Sequence, residues 1–358
     1  MNKILEAKEV INKHIVQLST NKKHRLPSER SLAEKFGYSR GTIGKALGAL
    51  AAEGTILRKH GAGTFISDKT GKRALTIAIV MRTAYHYTDV HFRLIVEEVS
   101  KYAEKNDIYI QIFDRLPDMF KDDPEQNSLI QAIKNGIVDG VLISSRMPVD
   151  IIYSINALCP TVIINNVLGV GDAVPCISCD HFRVGFLAGK HLLEKGHRKV
   201  AYITDSLAHP ESYFELSGFK SALEMGGVRP EDVDILETRR DSVTFTRRVL
   251  NFFKNSACTG CFERHTPHAL KIISILSNNG IKVPEDVSII SGGNYGKNKT
   301  AAVKLTVIDH QLNKMCRLGL ETLQNTIKNN SKTNGGIKFL DPRIIENNSV
   351  INIIKKGK

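Results

Sequence analysis

The chain has no tryptophan, which carries no functional information, and only six cysteines in 358 residues. Six are too few for a disulfide scaffold and fit a reducing compartment. Also missing is any run approaching the roughly 18 apolar residues that a membrane span needs, and Met1 to Val10 lacks the apolar stretch of a secretory signal. A soluble cytoplasmic protein with no membrane partner is the expectation. There is no P-loop and no Gly-x-Ser-x-Gly elbow, and Gly169-Val170-Gly171-Asp172 lacks the third glycine and the following helix of a dinucleotide site. The sequence therefore nominates no catalytic residue and calls for no cofactor. At 42% hydrophobic and 24% charged residues the composition excludes disorder. At about 100–200 residues per domain, the length suggests two or three units.

What is present is positive charge, unevenly spread. The formal net charge is +13, and the first 70 residues hold thirteen basic against six acidic side chains. The remaining 288 residues hold 37 basic and 31 acidic side chains. Such a gradient fits a nucleic-acid-binding module joined to a near-neutral partner, although a basic solvated face would give the same count. Pattern decides between them.

Ile4, Ala7, Ile11, Ile15 and Leu18 recur at spacings of three and four, which predicts an amphipathic helix over residues 3–19. Ser28 is the predicted N-cap of a second helix with Leu32, Ala33 and Phe36 on its apolar side, and Gly37 ends it. Ser39 can cap a third helix whose stripe is Ile43, Ala46, Leu47 and Leu50. Two short helices about a glycine turn make a helix-turn-helix. Thr55 to Lys59, the loop His60-Gly61-Ala62-Gly63 and Thr64 to Ser67 read as a β-hairpin wing.

These residues resemble the GntR-type DNA-binding domain: Leu26-Pro27-Ser28-Glu29-Arg30 with Leu32-Ala33, Ser39-Arg40 with Thr42-Ile43 and Ala46-Leu47, Glu53-Gly54, and Gly61-Ala62-Gly63-Thr64-Phe65. The resemblance implies DNA contacts at Arg30, Arg40 and Thr42, and a wing in the minor groove at His60, Gly61 and Gly63, while Ser39, Lys45 and Arg58 are further expected contacts from their place beside these residues. Arginine suits this work because its fork binds phosphate or guanine bidentately. One departure stands out, since members of that family usually carry a DNA-reading arginine where this chain has Gly44. Gly41, Gly44 and Gly48 share the face opposite the apolar stripe, each costing about 0.5–1 kcal/mol relative to alanine. Close backbone approach to DNA, or weakened base readout with shape carrying more of the specificity, would each account for that face.

Beyond Leu75 apolar runs alternate with helical patterns. Predicted strands are Thr76 to Met81, Ile108 to Phe113, Val138 to Ile143, Thr161 to Asn165, Lys199 to Thr204, Val233 to Leu236, Ala257 to Phe262, Val287 to Ile290 and Leu305 to Ile308. Such alternation implies parallel sheets covered on both faces, with ligands beyond the carboxyl ends of the strands. Val138-Asp139-Gly140-Val141-Leu142-Ile143, Pro160-Thr161-Val162, Asp180 with Gly185, His191-Leu192 with Gly196-His197, Gly218-Phe219 with Ala222-Leu223, Val283-Pro284-Glu285-Asp286-Val287 and Leu305-Thr306 resemble the effector domain of the LacI/GalR regulators. That resemblance implies two subdomains joined by three crossovers, with a small molecule in the cleft. A GntR-type head on this body is most similar to the arabinose-responsive repressors. The expected fold is thus an N-terminal winged helix-turn-helix, mostly α with a β-wing, over residues 1–68. A linker at 69–73 leads to an α/β two-subdomain, periplasmic-binding-protein-like domain with parallel sheets over 74–358.

The cleft residues depart from that family. Glu215 stands where an arginine is usual, Asn294 where an aspartate is usual, and His265-Thr266 where an asparagine-aspartate pair is usual. What remains at predicted strand ends is Tyr85, His86, Tyr87, Ser144, Arg146, Asn165, Asp180, Tyr213, Glu215, His265 and Asn294. Aromatic faces with fixed carboxylates and amides suit a polyhydroxylated ligand, although any single aromatic is more often core packing. Cys176-x-x-Cys179 and Cys258-x-x-Cys261, with His181, His265 and His268 nearby, superficially form a zinc pattern. Both pairs lie in or beside predicted strands, where side chains at i and i+3 point to opposite faces, so no metal is expected there.

The function expected is that of a ligand-responsive, sequence-specific DNA-binding regulator, a repressor released by a small carbohydrate and bound as a homodimer to a double-stranded, two-fold operator. The short linker shows no minor-groove hinge helix, so coupling is expected to run through head spacing. Three rivals remain open at this point: a sensor of a nucleoside, an amine or a metal, an architectural DNA-binding protein with a silent sensor, and an enzyme on the sheet domain.

Overall fold

The computed structural model describes residues 3–20, 25–52, 55–59, 63–66, 75–81, 90–113, 128–165, 173–239, 243–293, 303–329, 331 and 335–354. The chain divides into two compact units, Met1–Leu75 and Thr76–Lys358.

The first unit contains helices α1 (Lys3–Thr20), α2 (Glu29–Phe36) and α3 (Arg40–Ala52), then strands β1 (Ile56–Lys59) and β2 (Gly63–Ile66). The Ser28 side chain accepts a hydrogen bond from the backbone N–H of Ser31, and Gly37 closes α2 in the left-handed region at φ 72°. Both ends follow from local chemistry: a short hydroxyl satisfies an orphan N–H, and glycine alone enters that region without a Cβ clash. Ser39 does the same for α3, accepting from Thr42 N–H at 3.1 Å. Ala7, Ile11, Ile15, Leu32, Ile43, Ala46, Leu47 and Leu50 are buried together with Leu26, Ile56 and Ile66. The apolar stripes thus meet as their spacing predicts, and β1 pairs antiparallel with β2.

The second unit holds two six-stranded sheets. Its elements in chain order are β3 (Leu75–Val80), α4 (Val90–Asn106), β4 (Ile108–Phe113), α5 (Ser128–Lys134), β5 (Gly140–Ile143), α6 (Val149–Leu158), β6 (Thr161–Ile164), β7 (Pro175–Cys179), α7 (His181–Glu194), β8 (Val200–Thr204), α8 (Pro210–Met225), β9 (Asp234–Glu237), α9 (Phe245–Asn255), β10 (Gly260–Glu263), α10 (Thr266–Ser277), β11 (Ser288–Gly292), β12 (Thr306–Asp309), α11 (Leu312–Asn329), β13 (Gly336–Leu340) and β14 (Arg343–Ile345). One sheet has the order β13-β7-β6-β5-β3-β4 and the other β14-β12-β11-β10-β8-β9. The central strands pair in parallel and are buried along nearly their whole length, as strands covered on both faces must be. Strand β14 is the exception, lying antiparallel to β12.

The chain passes between the sheets three times. It leaves the first sheet after β7, returns after β12 so that α11 packs on β5, β6 and β7, and crosses again between β13 and β14. The crossing strands are laced together: Asp180 N–H donates to the Leu340 carbonyl, and the Gln311 side chain donates to the Asp341 carbonyl. Three strands are absent from the expectation above, namely β7, β13 and β14. The last two are edge strands, short and half exposed, so they leave little apolar signal in sequence. Among the described residues, no helix is long and apolar enough to cross a membrane.

Candidate nucleic-acid interface and effector cleft

In the first unit the expected DNA-contacting residues Arg30, Ser39, Arg40, Lys45, Arg58 and Gly63 are exposed. Arg30 is exposed and, among the described residues, pairs with Glu34, one helical turn away at 3.0 Å. Arg40, the first residue of α3, and Lys45 are exposed with no ion pair among the described residues. A helix N-terminus preceded by a capping serine is suited to phosphate, and Arg40 adds charge there. Thr42 exchanges a 2.8 Å hydroxyl contact with Ser39, so both expected contacts lie at this cap. Arg58 differs, because its guanidinium pairs with the Glu29 carboxylate. That carboxylate lies over Gly44, where an added Cβ would meet it at 3.7 Å, while Gly48 has open space around it. The bare face of α3 is therefore accessible, and Glu29 fills part of the room an arginine at 44 would take.

Of the wing residues, His60 and Gly61 lie outside the described residues. Gly63 begins β2 at φ 109°. Sequence reasoning missed Arg25, whose guanidinium sits 5.7 Å over the Phe65 ring and close to Gly63. Its position just ahead of Leu26-Pro27 was the only available signal.

In the second unit parallel pairing carries the carboxyl ends of the strands to one side of each sheet. Following β5 come Ser144, Ser145 and Arg146, after β6 comes Asn165, and after β7 comes Asp180. In the other sheet Asp205 follows β8, Arg264 and His265 follow β10, and His310 follows β12. The two sets meet. Arg146 reaches across to His209 Nδ1 at 2.7 Å and to the Glu211 carboxylate at the head of α8. His181 and His310 rings stand edge to face, 5.6 Å between centroids.

At the floor lies a buried charge cluster. Helices α7 and α8 approach so closely that a Cβ on Gly185 would fall 1.7 Å from the Glu215 carbonyl oxygen, and one on Gly218 would fall 1.9 Å from that of Phe182. Only glycine permits this approach, which places His181 Nδ1 2.6 Å from Glu215 Oε1. Arg264 Nε donates to the other carboxylate oxygen at 3.0 Å. Burial alone would raise the Glu215 carboxyl, but Arg264 and His181 bring it down to about 2. Asp205 lies 3.6 Å from both Arg264 and His265. Burial opposes its ionisation too, yet the His265 hydrogen bond and the His265 and Arg264 charges hold it well below the usual carboxylate range. Burial lowers His310 to about 3, so this ring is neutral.

Several buried polar atoms here have no partner among the described residues: Ser144 Oγ, Ser145 Oγ, Asn165 Oδ1, His181 Nε2 and His310 Nε2. Buried polar groups are ordinarily satisfied, so unsatisfied atoms that follow the carboxyl ends of parallel strands suit an incoming ligand. Asn165 is also held at φ 59°, an uncommon backbone state outside glycine that concentrates at functional sites.

Arg146, Glu215 and His265 belong to this network of charges, Ser144 and Asn165 stand at the ends of β5 and β6, and other expected residues lie apart. Glu215 is wholly buried with both oxygens engaged, so it positions Arg264 and His181 and has no free face for an amine. Asp180 caps α7 through Arg183 N–H. Tyr213 is 63% exposed beside Phe214, on the face of α8 opposite the buried Ser212 and Glu215. Tyr85, His86, Tyr87 and Asn294 lie outside the described residues. Sequence reasoning missed Asp205, His209, Glu211, Arg264 and His310, and assigned His181 only to the cysteine pattern. Several follow an apolar run directly, which was the signal.

The cysteine pairs do not converge. Cys176 and Cys179 belong to one sheet, Cys261 lies in β10 of the other, and Cys258 stands just ahead of that strand. All are buried, and burial pushes the Cys179, Cys258 and Cys261 thiols up, away from the thiolate that binds metal. A concavity of about 500 Å³ lined by Arg198, Lys199, Val228, Asp234 and Cys258 opens at the amino ends of β8, β9 and β10. It lies at the wrong end of a parallel sheet for a ligand site and gathers none of the unpartnered atoms.

Comparison with known proteins agrees with this division. Residues 3–66 match the profile of the bacterial regulatory proteins of the gntR family, and residues 190–350 match that of the periplasmic binding protein-like domain. The chain joins a gntR-type DNA-binding domain to a periplasmic binding protein-like domain. It is similar, at 24% identity over 97% of both chains, to the arabinose metabolism transcriptional repressor of Geobacillus stearothermophilus. A protein of the same description from Halalkalibacterium halodurans is 25% identical over 80% of this chain and 79% of its own. Among solved structures, a LacI family transcriptional regulator from Enterococcus faecium with bound ribose covers 78% of this chain and 99% of its own, with a TM-score of 0.66 and 24% identity. The chain is a ligand-responsive, DNA-binding transcriptional regulator.

Proposed function

We propose that the protein is a dimeric cytoplasmic repressor, not a catalyst, that leaves a two-fold operator when a small carbohydrate occupies its cleft. The observation that carries this reading is the set of unpartnered buried hydroxyl, amide and imidazole atoms, among the described residues, that follow the carboxyl ends of strands in both sheets. Hydroxyls of a sugar are donors and acceptors at once and match such a mixed set. Ser144, Asn165, His181, His265, Arg264 and His310 are the proposed effector contacts, and Tyr85, His86, Tyr87 and Asn294 are proposed as further contacts. Two relatives named arabinose metabolism transcriptional repressors support a sugar effector. A LacI-type neighbour from Alkaliphilus metalliredigens, TM-score 0.64, was solved with D-xylulofuranose.

In the proposed DNA complex Arg30, Ser39, Arg40, Thr42 and Lys45 of residues 1–68 meet the major groove, with Arg58 and the wing His60 to Gly63 beside it. Residues 69–73 serve as the linker, and 74–358 form the sensor. A sugar that prefers the state with weaker DNA affinity releases the operator, and by linkage operator binding weakens sugar affinity by the same factor. Fluorescence anisotropy with DNA upstream of the protein's own gene tests this reading. Tight, salt-sensitive binding released by one pentose or hexose is expected. Binding that no sugar alters, but a nucleoside or amine does, overturns the carbohydrate assignment.

A further inference from the structure

We infer that Glu211 and Glu215 are the specificity-determining residues of the cleft, cancelling the charges of Arg146 and Arg264 so that the site takes an uncharged ligand and rejects anionic ones. The inference deepens the proposed sensing role, since it assigns the charge class of whatever the cleft binds.

Two guanidiniums reach the cleft among the described residues, and each meets a carboxylate from α8. Arg264 is 9% exposed and its Nε is taken by Glu215, which is fully buried. Its Nη1 also faces Asp205 at 3.6 Å. Arg146 is held across the opening by Glu211, itself only 9% exposed. Asp180 and Asp309 are committed to the backbone N–H groups of Arg183 and Gln311 and add no positive charge. Two cations thus stand against three nearby carboxylates. A phosphate or carboxylate entering here would lose its hydration and find every guanidinium already neutralised, with Asp205 close by. A neutral hydroxyl meets no such penalty. Cationic ligands find no free oxygen on Glu215, because His181 and Arg264 occupy both. Rejection by an unfavourable charge is as much a part of specificity as attraction.

The test is calorimetry on the full chain with arabinose, ribose, xylose and glucose, the phosphate esters and aldonic acids of each, and glucosamine. Whichever neutral sugar binds, its ester and acid bind at least tenfold more weakly. Glu211→Gln and Glu215→Gln each narrow that neutral-to-anion ratio at least tenfold, and the double variant reverses it. A merely structural role would weaken both probes alike and leave the ratio unchanged. Should Glu215→Gln fail to fold, Glu211→Gln carries the test, because its partner Arg146 is 44% exposed. An anion or glucosamine that binds tighter than the neutral parent, or folded variants with unaltered ratios, overturns the inference. If no carbohydrate of any charge binds, the sugar reading falls. The charge filter is then read with adenosine and guanosine against their monophosphates, where tighter nucleoside binding supports it, and tighter monophosphate binding or none at all overturns it.

Discussion

The two ends of this regulator handle arginine in opposite ways. On the winged helix Arg30 is 82% exposed and Arg40 is exposed without an ion pair among the described residues, whereas Arg264 in the cleft is 9% exposed between two carboxylates. The difference follows from the partner. DNA brings its own dense negative charge, so a solvated cation can wait in water at little cost and exchange hydration for phosphate on arrival. A cleft that holds its shape before a small molecule arrives must satisfy its charges internally, because an unpaired buried ion costs several kcal/mol.

That contrast can be sharpened by removing one arginine from each end. Arg264→Ala strands the Glu215 carboxylate and is expected to cost about 3–5 kcal/mol in the sensor's unfolding free energy, read by chemical denaturation. A change below about 1 kcal/mol would mean the pair is not what holds the cleft floor. Next in size is Gly218→Ala, which forces a Cβ against the Phe182 carbonyl and separates α7 from α8. We expect a loss of about 3 kcal/mol together with weakened effector binding, since His181 and Glu215 no longer meet.

Acid should distinguish the two ends as well. His310 is lowered to about 3 by burial, so below its ordinary value near 6.5 the unfolded chain takes up a proton that the folded chain refuses. Sensor stability therefore falls with pH from about 6.5 downward, by up to ~1.4 kcal/mol per pH unit for this residue. His191 and His197, also lowered by burial, act with the same sign. Glu215 adds to the loss only below about 4.5, as its carboxyl lies under the ordinary value. Denaturation midpoints that stay flat between pH 6.5 and 5 would contradict a neutral buried His310. The smallest stability effect is expected at the DNA end. Arg40→Ala should leave unfolding unchanged within about 0.5 kcal/mol while operator affinity drops tenfold or more. Unaltered affinity would remove Arg40 from the interface.

The same contrast explains how much of each end was legible in advance. Ser28, Gly37 and Ser39 delimit the helix-turn-helix through contacts no more than four residues away, and a local pattern can be read from a local window. Apolar runs likewise marked most central strands of both sheets. The cleft was legible only in outline. Glu215 stood out as a departure, but no local pattern showed that its carboxylate meets Arg264, 49 positions further on. Tyr213 was chosen for its aromatic ring and its place near a strand end, yet the helical phase of α8 turns it outward beside Phe214.

Sequence alone determined the winged helix, its caps and core, and the alternation that makes two parallel sheets, because those depend on backbone preferences and side-chain periodicity over a few residues. Tertiary structure decided which charges meet. Arg146 with Glu211, Glu215 with Arg264, and His181 with His310 are brought together by three chain crossings and by glycines that let α7 and α8 touch. Pairing of buried charge depends on distances of a few ångströms between remote segments, and those distances exist only once the core has packed.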